Sequence, residues 1–190
     1  MSTVPLCIPG FVDLQINGHR GTDFSSDALS VESAIAAFRE IAACGTVAFL
    51  PTVITSPTEI YKTNLDTLAT AIDAPDAAGR VLGIHLEGPG ISDEPGAVGA
   101  HNPGSVRDIS PAFIDDVLEW SRGYVRLLTL APERPGALDT IAYCRTHAIT
   151  VALGHTMADS SLMREAVDAG ASMVTHLGNG IPNSLPRHPN

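Results

Sequence analysis

The stretch whose reading decides the fold is Val81–Val106, VLGIHLEGPGISDEPGAVGAHNPGSV. It opens on an apolar run, Val81-Leu82-Gly83-Ile84, and then sets His85 and Glu87 two residues apart. On an extended strand that spacing puts both side chains on one face. Gly88-Pro89-Gly90 stops the strand directly after Glu87. A carboxylate at the end of an apolar strand is costly to bury unless a cation or hydrogen-bond donors meet it. Two later stretches repeat the arrangement, Val151-Ala152-Leu153-Gly154-His155-Thr156 and Met173-Val174-Thr175-His176-Leu177-Gly178-Asn179. Glu87, His155 and His176, each closing its own strand, make a three-ligand set suited to one catalytic divalent ion with a position left open, zinc first among the candidates. Fe2+ and Mn2+ accept the same nitrogen and oxygen donors.

Outward from these stretches, strands alternate with helices. Strands are predicted at 8–17, 46–50 (closed by Pro51), 81–87, 124–130, 149–154 and 172–176. Between them, apolar residues recur at helical spacing. Helices are predicted from Val31 to about Cys44 with Ser30 as cap, from Thr58 to near Pro75, and over about 111–121, 136–147 and 159–169. Six βα repeats make a parallel α/β sheet with right-handed crossovers the default. An open doubly wound sheet and a (βα)8 barrel of the TIM type compete. Polar residues at the ends of several strands favour the barrel, because its strand C-termini converge on one face. The expectation is a single barrel domain over 1–190, incomplete, stopping about two βα units short of closure. The segment Gly88–Ser110 is a long Gly- and Pro-rich loop, and loops of that length inside a compact domain usually serve function.

The bulk composition fits. Only 17% of residues are charged against 44% hydrophobic, which suits strands buried under helices. A net charge of -10 argues against nucleic acid and anionic membrane surfaces as partners. No run of roughly 18 apolar residues occurs. Cys7, Cys44 and Cys144 are odd in number and widely spaced, and read as buried thiols of a cytoplasmic protein.

Six segments, in order, carry a resemblance: PGFVDLQINGHRGTDF (9–24), HLEGP (85–89), GAHNP (99–103), TLAPE (129–133), LGHTMAD (153–159) and THLGNGIP (175–182). Through them the chain resembles the N-acetylglucosamine-6-phosphate deacetylase family of the amidohydrolase superfamily. The resemblance implies metal-dependent hydrolysis of the N-acetyl group of an amino-sugar phosphate, giving acetate and glucosamine 6-phosphate. It places Glu87, His155 and His176 on the metal ligands, and His101 beside the acetyl carbonyl, where it helps polarise that oxygen. Asn179 and the Gly180 backbone N–H fall on a phosphosugar-binding turn. Arg187 falls on an arginine that binds the phosphate, sometimes across a homodimer interface.

The pattern also departs from that of the superfamily. Gln15-Ile16-Asn17 stands where many amidohydrolases carry His-x-His for a second metal, so one ion is expected. No counterpart is expected within these 190 residues for the superfamily's general-base Asp at the end of strand eight, or for the small β-sandwich that often precedes the barrel. His85 is expected to be a satisfied strand histidine, Glu133 structural, and His19, His147 and His188 surface residues. Asp13 is a possible hydrogen-bonding group inside the barrel. Two other readings stay open: an amidohydrolase acting on an unphosphorylated acylamine or cyclic amide, and an inactive metal-binding remnant.

Overall fold

The computed structural model describes residues 9–77, 79–182, 184 and 187. In chain order the elements are β1 (Phe11–Ile16), a small hairpin of β2 (Gly18–His19) and β3 (Thr22–Asp23), α1 (Val31–Ala43), β4 (Thr46–Ile54), α2 (Thr58–Ile72), β5 (Ile84–Glu87), α3 (Pro111–Trp120), β6 (Val125–Leu130), α4 (Ala137–Thr146), β7 (Thr150–Leu153), α5 (Ser160–Ala169) and β8 (Met173–Val174). Helix starts follow local chemistry. The Ser30 hydroxyl accepts from the Ser33 N–H, and the Ser33 hydroxyl accepts from the Ser30 N–H. Asp159 caps α5 through the N–H groups of Ser161 and Leu162.

The six principal strands pair in parallel in the order β1-β4-β5-β6-β7-β8, each beside its predecessor. A doubly wound sheet would reverse direction at a switch point. This one never does, so its winding is that of a barrel arc. Among the described residues β1 and β8 are its two edges.

Alternation along the strands sorts side chains into two layers. Phe49 and Val53 of β4, Ile84 and Leu86 of β5, Leu128 and Leu130 of β6, and Val151 and Leu153 of β7 pack outward with the helices into the main core. Phe24, Phe38 and Phe49 join there with ring centroids 5.9 and 5.4 Å apart. On the inner side Leu50, Leu127 and Ala152, with Met173 against them, form a separate small cluster. Toward the strand C-termini the inner residues turn polar. His85 Nε2 lies 2.8 Å from Thr129 Oγ1, its Nδ1 lies 3.3 Å from Thr52 Oγ1, and Thr129 Oγ1 meets Thr175 Oγ1 at 2.8 Å. Beyond this polar layer come Glu87, His155 and His176.

Several boundaries differ from the sequence reading. Pro51 does not close the second long strand: β4 runs on to Ile54. Pro51 pairs with Ile16 next to a register irregularity in β1, where a missing N–H interrupts little. Val81 makes an isolated bridge to Phe49, and β5 starts at Ile84. At Gly83 (φ +150) an added Cβ would lie 2.6 Å from Tyr124 O, so only glycine fits between the bridge and the strand. Cys144 is buried as expected, but Cys44, the C-cap of α1, is exposed. Cys7 and His188 lie outside the described residues.

The long loop is folded down over the strand ends. Ile91, Ala97, Val98, His101, Ser105 and Ile109 are buried. Ser92 N–H donates to His155 O at 2.8 Å, and Ala131 N–H donates to Gly90 O at 2.8 Å. The Arg107 guanidinium stacks over Tyr61 and Phe113, 5.4 and 5.1 Å from the ring centroids. Arg134 pairs with Asp108 at 2.8 Å and Asp93 at 3.4 Å. These ties hold the loop as one wall of a site. No described helix is long and apolar enough to cross a membrane.

Candidate metal centre

Glu87 ends β5, while His155 and His176 follow β7 and β8 by two residues each. Their ligand atoms all lie within 4.8 Å of one another. Glu87 Oε1 is 3.1 Å from His155 Nε2 and 2.8 Å from His176 Nε2. Donors about 2.05 Å from a tetrahedral ion stand about 3.3 Å apart, so the set is close to that spacing. One carboxylate and two imidazoles are also the right donor chemistry for a divalent ion.

Both histidines take a left-handed backbone, φ 52 at each. That region is unfavourable for a residue with a Cβ, and its occupation at two adjacent strand ends aims both rings at Glu87. His155 is braced on every side. Its Nδ1 donates to Ala97 O at 2.8 Å, because a carbonyl can only accept, and so Nε2 is the nitrogen turned to Glu87 and open to an ion once its own proton leaves. Glu133, read as structural from the sequence, accepts from Thr156 Oγ1 at 2.5 Å and from Met157 N–H at 2.6 Å, clamping the residues that follow His155. Gly180 abuts His155, and a Cβ there would lie 3.0 Å from His155 N.

The electrostatics favour an anionic Glu87. Burial opposes its charge, but the hydrogen bond from His155, the neighbouring His101 and the Gln15 amide together hold its pKa down to about 2. Burial would also lower the pKa of His155. The hydrogen bonds to Glu87 and Ala97 O and the charge of Glu87 outweigh it and raise the pKa above that of a free imidazole. Burial pulls His85 and His101 down to about 4 against the opposing charge of Glu87, so both are neutral at neutral pH.

A cavity of about 280 Å³ opens over these groups, with Asn17, His101, Asn179 and Gly180 in its wall. His101 comes from the long loop and sets its Nε2 3.6 Å from Glu87 Oε2. Asn179 is exposed at the rim. The Gly180 N–H, expected to face a phosphate, leans toward His176 O at 3.4 Å, a long contact. Arg187 is described and exposed, and the described cavity wall does not include it. His85 lies beneath the site in the polar layer, not among the ligands. Asp13 accepts from the Gln15 N–H at 3.0 Å in an exposed setting, and His19 is half-buried beside Glu40 at 3.6 Å instead of on the surface. Gln15 reaches the cluster, its Nε2 3.4 Å from His176 Nε2. The sequence reading missed Thr55, just past β4, which contacts both His101 and the Glu87 backbone.

No family model matches the chain. Among proteins of assigned function, the Bos taurus N-acetylglucosamine-6-phosphate deacetylase is 42% identical over 183 residues, 95% of this chain and 43% of that protein. Among solved structures, an Asp-to-Ala variant of the Mycobacterium smegmatis N-acetyl-D-glucosamine-6-phosphate deacetylase, in complex with N-acetyl-D-glucosamine-6-phosphate, matches with a TM-score of 0.82 and 36% identity. Its alignment covers 95% of this chain and 45% of that one. These two relatives of the chain are N-acetylglucosamine-6-phosphate deacetylases. The Pasteurella multocida deacetylase of that name superposes equally well, with a TM-score of 0.82, 33% identity, and 94% of this chain and 46% of that chain covered. An Escherichia coli O157:H7 N-acetylgalactosamine-6-phosphate deacetylase is 33% identical over 184 residues, 97% of this chain and 48% of that protein. The chain thus spans less than half the length of these deacetylases. The match in fold extends to the incomplete barrel of six parallel strands.

Proposed function

We propose that this chain carries the metal-binding part of a deacetylase that hydrolyses the N-acetyl group of N-acetylglucosamine 6-phosphate, releasing acetate and glucosamine 6-phosphate. The observation that carries the reading is the convergence of Glu87, His155 and His176 beside His101 in one cavity. The three ligands would hold one divalent ion, with zinc as the first choice. Such an ion supplies Lewis acidity toward an amide carbonyl and makes water a stronger acid. The protein groups do the rest. His101 donates a hydrogen bond to the carbonyl oxygen as negative charge gathers there. Asn179 and Arg187 hold the phosphosugar, Arg187 because its planar fork binds two phosphate oxygens at once. Glu87 is the sole acid in the described cavity wall and it is committed to the ion, so the general base comes from elsewhere. The enzyme works on a soluble cytoplasmic substrate and assembles as a homodimer.

The test is acetate release. The 190-residue polypeptide alone should work at background rate, since losing a general base costs about 10²–10⁴-fold. Fused to the remaining length of the bovine relative, it should turn over N-acetylglucosamine 6-phosphate. A folded, metal-loaded fusion without turnover would sink the assignment. In that fusion Arg187→Ala should raise KM for the 6-phosphate about 10–100-fold, the worth of a charged hydrogen bond, and leave unphosphorylated N-acetylglucosamine nearly unaffected. Equal losses on both sugars would make Arg187 structural. Metal analysis of the polypeptide should find about one divalent ion per chain, because Gln15 and Asn17 offer neutral amides where a second ion needs imidazoles. Two equivalents would contradict this.

A further inference from the structure

Thr55 sits immediately after β4 and is only 3% exposed. Its backbone N–H donates to His101 Nδ1 at 3.3 Å, and its Oγ1 lies 2.9 Å from the same nitrogen. The hydroxyl also lies 3.3 Å from the Glu87 carbonyl oxygen. An amide N–H carries no lone pair and can only donate. A proton on Nδ1 would therefore point at that N–H and leave it without an acceptor in a buried place. Buried N–H groups without acceptors are rare, whereas carbonyl oxygens short of one donor are tolerated more readily. The single hydroxyl proton thus goes to the nearer acceptor, Nδ1, and not to the Glu87 carbonyl. The far side of the ring agrees. Nε2 faces Glu87 Oε2 at 3.6 Å, and an ionised carboxylate accepts but does not donate. A bare Nε2 lone pair there would meet like charge density.

We propose that Thr55 is a positioning residue whose N–H and hydroxyl, both aimed at His101 Nδ1, lock the imidazole into the tautomer that carries its proton on Nε2. His155, whose ring centroid is 4.4 Å away, has the opposite assignment at Nδ1: Ala97 O fixes a proton there and leaves Nε2 as the nitrogen for a metal. Backbone groups from two separate segments thereby divide adjacent imidazoles into a hydrogen-bond donor and a metal ligand. The consequence for the reaction rests on the reading above: His101 reaches the acyl oxygen as an N–H donor, and in this tautomer its Nε2 has no lone pair with which to deprotonate water.

The experiment needs neither substrate nor turnover. Magic-angle-spinning 15N spectra of histidine-labelled, zinc-loaded 190-residue protein report each ring nitrogen whether or not the chain associates, and the His101 signals are those lost in His101→Asn. The expected result is a pyridine-type Nδ1 and a pyrrole-type Nε2. Thr55→Ser should keep that pattern. Thr55→Val, which keeps the N–H and the side-chain shape, should shift the tautomer ratio toward Nδ1–H by about 2- to 10-fold, the worth of one hydrogen bond. A pyrrole-type Nδ1 in the unaltered protein, or a Thr55→Val spectrum identical to it, would overturn the assignment. The expected tautomer together with a folded but inactive completed enzyme would instead leave the role of Thr55 standing and remove the deacetylase reading.

Discussion

Replacing His155 with alanine is expected to strip the protein of most of its divalent metal. Removing a group that merely orients a ligand costs about 10–100-fold in affinity, and losing a ligand itself should exceed that. Of the three candidate ligands His155 is also the most braced: a strained backbone, a hydrogen bond to Ala97 O, a clamp from Glu133 and a glycine packed against it. His85→Ala should spare the metal, since His85 bonds threonines beneath the site. The pH dependence has a definite sign. With a pKa near 2, Glu87 is already ionised above about pH 4 and does not compete. His155 has a raised pKa, so below it a proton must leave Nε2 before metal binds. Affinity should therefore fall as pH drops below neutral, by about tenfold per unit for each proton displaced. Titration of a metal-chelator competition from pH 8 to pH 5 reads both effects. Retention of a full equivalent of zinc by His155→Ala would show that the centre lies elsewhere.

The second large effect is on association. The 190-residue polypeptide, made as it stands, is expected to be oligomeric or poorly soluble. Its sheet shows two edges among the described residues, and an unpaired strand edge is a template for another chain. The β1 edge carries Phe11 and Val12, 67% and 59% exposed, with Val47 on the neighbouring strand at 47%. Beyond β8, Leu177 is 87% exposed. The inner cluster of Leu50, Leu127 and Ala152 is already buried, so association is expected through the edges. Covering these edges with the remaining length of a relative should restore a monodisperse species. Light scattering that finds a stable monomer of the polypeptide alone, at tens of micromolar, would show that the arc is self-sufficient.

How much of this was legible beforehand depends on the range of the interactions involved. Glu87, His155 and His176 could be picked out because each follows an apolar run that stops abruptly, and both the run and its stop are properties of a few neighbouring residues. The helices were legible for the same reason, with Ser30 and Asp159 marking their starts. Pro51 misled, because its effect depends on what lies across the sheet: opposite a register irregularity the chain simply runs on as β4. The polar layer of Thr52, His85, Thr129 and Thr175 carries no local signal at all, since threonine in a strand is ordinary until the curl of the sheet brings four of these residues together. Thr55 meets His101 across 46 positions of sequence and Ala97 meets His155 across 58. The sequence by itself determined which residues could bind a metal and that their strands run parallel. Only the tertiary structure decided which ring nitrogen holds the proton, because that depends on backbone groups brought within about 3 Å by the packing of the long loop onto the strand ends.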